Sequence, residues 1–226
     1  MKKFIYMVAS LAFLTACHST TTTENKAETT QATATTEQTT LTTQKSNGEA
    51  DLSLGIQMVV NKKHKLPADY NPGENPIAGE KVRELIQKMQ EFGFSISNQY
   101  SGFRSYEYQT QLYQNYVNKD GKEAADTYSA RPGYSEHQTG LAFDVLNGAG
   151  GLLGENPQDE KAIEWLHSHA HEYGFIVRFQ EGKEAITGYQ AEAWHLRYVG
   201  DIAEQIYTSK LTLEEYFGVE GGNYAD

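Results

Sequence analysis

The sequence predicts a domain of the α+β class behind a long tether. Three observations lead there: helical periodicities bunched early, short strand-like runs joined by excursions of mixed length, and a stretch from Asp51 to Asp226 that suits one compact domain. A doubly wound parallel sheet would instead alternate strand and helix at regular spacing.

The chain opens Met1-Lys2-Lys3, continues through an apolar run from Phe4 to Phe13, and reaches Leu14-Thr15-Ala16-Cys17. That pattern predicts a signal peptide over residues 1–16, its apolar run too short to span a bilayer. Leu-Thr-Ala-Cys resembles the bacterial lipobox, whose cysteine carries lipid, so Cys17 is the expected lipidation site; an ordinary leader that happens to contain a cysteine is the alternative. Cys17 is the one cysteine of the chain, which excludes an internal disulfide. Residues 17–50 then form a tether, since the 13 threonines between Thr20 and Thr43, with Glu, Gln, Ala and Lys, offer nothing for a core. As a flexible coil it would hold the domain about 30 Å from a membrane. Loss of Lys2 and Lys3 with the leader takes the formal charge from −11 to −13, which disfavours a nucleic-acid partner.

Within the domain, Val82, Leu85, Ile86 and Met89 fall at i, i+3, i+4 and i+7, predicting a helix from Glu80 to Phe92 that Gly93 stops. Phe94 to Tyr100 alternates like a half-buried strand, continued by Ser101-Gly102-Phe103-Arg104. Ser105 can cap a helix in which Gln109, Leu112, Tyr113, Tyr116 and Val117 share a face. A short helix over 121–127 and a loop at Arg131-Pro132-Gly133 follow. Leu141 to Leu146 reads as a buried strand, and Asp159 as the cap of a helix through Tyr173 that ends at Gly174. Strands are expected at Phe175–Phe179 and His195–Val199, with a turn at Glu181-Gly182-Lys183. A helix from Ile202 to Tyr207 and a capping box of Thr212 with Glu215 close the chain.

The chemistry concentrates in Ser135-Glu136-His137-Gln138-Thr139-Gly140-Leu141-Ala142-Phe143-Asp144 and Glu192-Ala193-Trp194-His195. Catalytic zinc usually takes three nitrogen or oxygen ligands and keeps a fourth position for water. His137, Asp144 and His195 would complete such a site, with Glu192 as proton carrier. In a strand, Asp144 shares a face with Ala142, while Phe143 and Val145 point away; the alternative for Asp144 is a solvated strand end. His137 alone is as well read as a structural histidine, and His195, between Trp194 and Leu196, as a hydrogen-bonded core residue. Glu192 and His195 have opposite parity, so a regular strand would point them apart; a bend or bulge near Ala193 is required. Arg104 is the candidate oxyanion or carboxylate contact, against a structural ion pair. His167 and His171, one helical turn apart, form a rival pair, read as a solvated helix face because no His-Glu-x-x-His pattern accompanies them.

At these residues the sequence resembles the VanY-type D-alanyl-D-alanine carboxypeptidases and their LdcB-type LD-carboxypeptidase relatives, zinc enzymes that trim peptidoglycan stem peptides. The matching pieces are Ser101-Gly102-Phe103-Arg104-Ser105 with Gln109, Gly133 to Asp144, Trp165, Gly174-Phe175, and Glu192-x-x-His195. The resemblance spans nearly all of Asn71 to Phe217. It implies a small central antiparallel sheet flanked by helices, as in hedgehog-like zinc folds, and one Zn2+ per chain on His137, Asp144 and His195. It further implies Glu192 as base, Arg104 as oxyanion or carboxylate contact, and Gln109, Tyr134 and Ser135 in the substrate pocket. Arg178 and Tyr189 look family-like without a readable role. The expected activity is removal of terminal D-alanine from stem peptides by a monomeric, extracytoplasmic lipoprotein, with LD-cleavage of tetrapeptide to tripeptide preferred. DD-carboxypeptidase or DD-dipeptidase action, or a non-catalytic zinc-stabilised wall-binding module, are the alternatives.

Overall fold

The computed structural model describes residues 48–225, all within one compact unit. The leader, Cys17 and most of the tether lie outside the described residues. The folded part reaches back past Asp51: Glu49 forms a β-bridge with Lys65, and Ala50 is buried with Met58, Val60 and Leu66. No helix among the described residues is long and apolar enough to cross a membrane.

Four strands form one sheet, β1 (Ile96–Ser101), β2 (Ala142–Asn147), β3 (Phe175–Phe179) and β4 (Glu192–Tyr198), in the order β1-β2-β4-β3 with every neighbour antiparallel. Side chains alternate across a sheet, so two surfaces with different tasks emerge. On one, Phe143, Val145, Phe175 and Leu196 bury against Val82, Leu85, Ile86 and Met89 of helix α1 (Pro76–Glu91) and Leu166 of helix α4 (Glu160–His169). Each such side chain contributes roughly 1.5–3 kcal/mol on leaving water, which makes this layer the main source of stability. The other surface carries Asp144, His195, Arg197, Ile176 and Arg178. It is closed by Val59 of the N-terminal segment and by helices α6 (Ala203–Ser209) and α7 (Leu213–Phe217).

Helix α1 begins one turn earlier than the periodicity suggests, because the Asn75 side chain accepts from the amides of Ile77 and Ala78 and Pro76 occupies the first helical position. Ser105 caps helix α2 (Tyr106–Asp120) as expected, through a 3.2 Å bond from the Tyr108 amide. Its semi-apolar stripe does not join the core: Gln109 is the one buried residue of α2, and Leu112 and Tyr116 line a cleft. Helix α3 (Lys122–Tyr128) follows directly. Asp159 does not cap α4 with its side chain; its carboxylate accepts from the Gly154 amide at 2.9 Å and from Asn147 Nδ2 at 3.1 Å. Asn156 caps instead, opening a 3-10 turn over Pro157–Asp159. A second 3-10 turn, Ala170–Tyr173, carries the chain to Gly174, and a short helix α5 (Glu184–Thr187) precedes β4. The capping box of Thr212 and Glu215 starts α7.

Gly140 connects this frame to the site. Its φ of +72° is left-handed, and a Cβ there would stand 2.0 Å from the Gly73 carbonyl oxygen, while its own carbonyl accepts from the Asn75 amide that begins α1. Gly140→Ala is therefore expected to cost about 2 kcal/mol or more in chemical denaturation, from strain and the forced retreat of residues 73–75.

Candidate active site

The β2–β4 register sets Asp144 directly opposite His195, so cross-strand pairing alone brings a carboxylate beside an imidazole on one face. His137 arrives from the 3-10 turn Glu136–Thr139, just before β2. Its Nδ1 lies 2.7 Å from the Gly102 carbonyl, which accepts the ring proton and turns Nε2 inward, 3.3 Å from Asp144 Oδ2. His195 Nδ1 is 3.1 Å from Asp144 Oδ1, and the two rings meet edge to face at 4.9 Å. One donor atom from each of His137, Asp144 and His195 lies within 4.8 Å of the others, the arrangement one ion needs. All three residues are buried.

The donor set fits a cation on its own evidence. His137 Nε2 is buried without a hydrogen-bond partner, and Asp144 Oδ1 receives no aligned hydrogen bond. Burial, then the nearby Arg104 guanidinium, pushes His137 down to about 4 and so keeps its ring neutral at physiological pH. Burial alone would raise Asp144, but the His137 and His195 imidazoles outweigh it and hold the carboxyl well below its ordinary value. Burial alone would lower His195, but hydrogen bonding to Asp144 and Glu136 outweighs it and pushes the ring up to about 9, so a metal ion would displace a proton there. Two imidazole nitrogens and an ionised oxygen, buried and converging, are zinc ligands by type.

The required bulge is present. Phe175, Ile176 and Val177 pair in step with Tyr198, Arg197 and Leu196, but Phe179 pairs with Glu192, so β4 carries two extra residues around Ala193. At this irregularity Glu192 lies beside His195, its Oε2 3.4 Å from Nδ1 and its side chain buried. Burial pushes the Glu192 carboxyl up to about 7. Two carboxylates in one site are thus driven in opposite directions, Asp144 toward permanent charge and Glu192 toward exchange near neutrality.

Around this centre opens a cleft of about 250 Å³, walled by Arg104, Gln109, Tyr134, Ser135 and Tyr189 among others. Arg104 extends from the loop after β1, its Nη2 3.8 Å from Asp144 Oδ2 and its buried Nε without a partner, so its guanidinium is only loosely engaged by protein. Gln109 spends its Nε2 on the Ala130 carbonyl at 2.7 Å and keeps a buried, unpartnered Oε1. Tyr189 packs on Phe179 and under the Lys62 ammonium, which bonds to the Gly188 carbonyl; burial holds its phenol well above the ordinary value. The histidines of the rival pair are not solvated but have partners of their own. His167 Nε2 lies 3.0 Å from the Ala193 carbonyl, and His171 stacks on Tyr207 at 3.9 Å with Nε2 3.1 Å from Glu204.

Sequence reasoning passes over the buried charges behind the ligands. Arg178 forks onto Glu214 at 2.8 and 2.5 Å, and both Arg178 and Arg197 donate to Glu136 Oε1 at 2.8 Å. Arg197 also donates to the Met58 and Ile56 carbonyls, and Asn61 to Glu214. Arginines flanked by Val177 and Phe179, and by Leu196 and Tyr198, were the readable signal, since a charge on a buried strand demands a partner.

Residues 71–201 match the family model of the D-alanyl-D-alanine carboxypeptidase VanY. A D-alanyl-D-alanine carboxypeptidase of Enterococcus faecalis is 32% identical over 181 residues, covering 72% of this chain, which spans 66% of that relative's length. Among solved structures, the L,D-carboxypeptidase DacB of Streptococcus pneumoniae is 62% identical over 74% of this chain and 89% of its own, with a TM-score of 0.71. VanY from a VanB-type resistance cassette, solved in complex with Zn(II), is 30% identical over 72% of this chain and 98% of its own, with a TM-score of 0.60.

Metal analysis separates the two histidine groups. His137→Ala and His195→Ala should each remove the bound zinc that the wild-type chain carries at one ion per chain, whereas the double replacement His167→Ala, His171→Ala should retain it, as read by elemental analysis after dialysis.

Proposed function

The chain belongs to the VanY family of D-alanyl-D-alanine carboxypeptidases, and we propose that it removes the terminal D-alanine of peptidoglycan stem peptides, shortening tetrapeptide to tripeptide as an LD-carboxypeptidase. The observation that carries the peptidase reading is the β4 bulge, which sets Glu192 beside three converging metal donors in a cleft whose wall holds a loosely engaged arginine. The LD preference rests on the 62% identity to an L,D-carboxypeptidase, twice that to VanY. The DD reading is favoured by the family model itself and by the Enterococcus faecalis relative.

In this reading His137, Asp144 and His195 would hold zinc, with His137 Nε2 and His195 Nδ1 as the nitrogens that face the cluster. Zinc, when bound, supplies a water acidic enough to lose a proton near neutrality and polarises the scissile carbonyl. Glu192, buried beside these donors, would accept a proton from the attacking water and return it to the departing D-alanine amine, base first and acid second. A carboxyl that exchanges its proton near neutral pH suits both steps. Arg104 receives the substrate's terminal carboxylate or the developing oxyanion, because its guanidinium stays charged and its Nε is unclaimed. Gln109, Tyr134 and Ser135 line the peptide's path, with Gln109 Oε1 offering an acceptor to a substrate N–H. The domain acts as a monomer outside the cytoplasm, held to the membrane by lipid on Cys17 through the threonine-rich tether over residues 17–50.

Two measurements test this. Glu192→Ala should lower D-alanine release by about 10²- to 10⁴-fold while zinc content and melting temperature stay unchanged; wild-type turnover in that variant would refute the role. Products from tetrapeptide and pentapeptide substrates, separated by mass spectrometry, should show tripeptide from the tetrapeptide. Release from the pentapeptide alone would replace the LD reading with the DD one.

A further inference from the structure

We propose that Glu136 is the positioning residue of His195: one carboxylate oxygen is anchored by two buried arginines so that the other receives the His195 Nε2 proton and leaves Nδ1 free to coordinate. The proposal rests on the metal site described above and assigns a role to a residue outside the three metal donors.

An imidazole that coordinates through one nitrogen must keep its proton on the other, and that proton needs an acceptor when the ring is buried. His195 turns Nδ1 toward Asp144 and Glu192, at 3.1 and 3.4 Å, so Nδ1 faces the donor cluster. Its Nε2 points the opposite way and is buried, and the polar atom it meets is Glu136 Oε2 at 3.5 Å. Glu136 Oε2 and His195 Nε2 are each buried without a hydrogen-bond partner and face each other at 3.5 Å, although the twin oxygen Oε1 accepts two bonds at 2.8 Å. The carboxylate is therefore divided in use. Oε1 is locked and Oε2 is kept for the ring.

The lock is itself immobile. Arg178 cannot follow Glu136 because Glu214 grips it with both oxygens, and Arg197 is tied to the Met58 and Ile56 carbonyls. Arg178, Arg197, Glu136 and Glu214 are each at most 3% exposed. Joining the N-terminal segment and α7 to the sheet, with charge balanced between two arginines and two glutamates, uses only the Oε1 atom of Glu136. The Glu136 oxygen aimed at His195 adds nothing to that task. The adjacent placement of Glu136 and His137 makes the 3-10 turn serve both histidines, one as its own side chain and one through its neighbour.

The test compares zinc dissociation constants of the full zinc-loaded chain by competition with a chelator of known affinity, with turnover left out. Glu136→Gln should weaken zinc binding by about 10- to 100-fold, the usual effect of losing a carboxylate behind a metal-bound histidine. Glu214→Gln removes the same charge from the same cluster without facing His195 and reaches Glu136 only through Arg178, while Arg197 still holds Glu136 Oε1; it should lower the melting temperature and weaken zinc binding clearly less than Glu136→Gln. Equal weakening by both variants, or none by Glu136→Gln, would overturn the proposal. Should Glu136→Gln fail to fold, nitrogen-15 spectra of the wild-type zinc form decide: a protonated His195 Nε2 with metal-bound Nδ1 is expected, and coordination through Nε2 overturns it. A wild-type chain that takes up no zinc would instead bring down the metal site itself, which keeps the two failures apart.

Discussion

An ionised carboxylate on a buried strand must be neutralised where it stands, and Asp144 is that carboxylate. It lies between Phe143 and Val145, whose side chains belong to the main apolar core, so the strand cannot rotate to hydrate it without exposing them. The antiparallel register with β4 supplies His195, the turn before β2 supplies His137, and a cation completes the balance. Core packing on one face of the sheet therefore fixes the position of the metal donors on the other. The apolar layer contributes most of the folding free energy and, through the pleat, also sets the site's geometry to within a rotamer.

The site departs from regular strand geometry at one place, and the proposed reaction depends on that departure. The two extra residues in β4 break its regular course between Leu196 and Glu192, where Glu192 comes to lie beside His195. There it is buried beside the donors, and the same burial that costs free energy pushes its carboxyl into the range where a proton can be taken and returned. Behind the donors, two arginines and two glutamates cancel in charge and leave a rigid wall. Such a cluster is a weak source of net stability, because desolvation offsets much of the attraction, yet breaking one member leaves an unpaired buried charge. Its contribution is to hold atoms in place rather than to tighten the fold.

The amphipathic pattern of Val82, Leu85, Ile86 and Met89 led to α1 because burial against a sheet demands that period. The donors and the bulge were legible because their chemistry is constrained at short range: Glu192 and His195 are three residues apart, and parity alone forced a distortion. The α2 stripe was legible as a face but not as a cleft wall, since periodicity reports which side avoids bulk water and not what stands opposite. Asp159 and Asn156 are both good caps, but the Asp159 carboxylate is taken by the Gly154 amide and Asn147 Nδ2, and Asn156 opens the turn. The pairing of Glu136 with Arg178, and of Arg178 with Glu214, spans 42 and 36 residues and depends on how loops close, which local chemistry does not encode.

Anomalous diffraction at the zinc edge from crystals of the zinc-loaded protein tests the central claim most directly. One peak per chain should lie about 2.0–2.2 Å from His137 Nε2, an Asp144 oxygen and His195 Nδ1, the usual span for zinc bonded to nitrogen and oxygen. A peak elsewhere, or one that engages fewer than those three residues, would contradict the account.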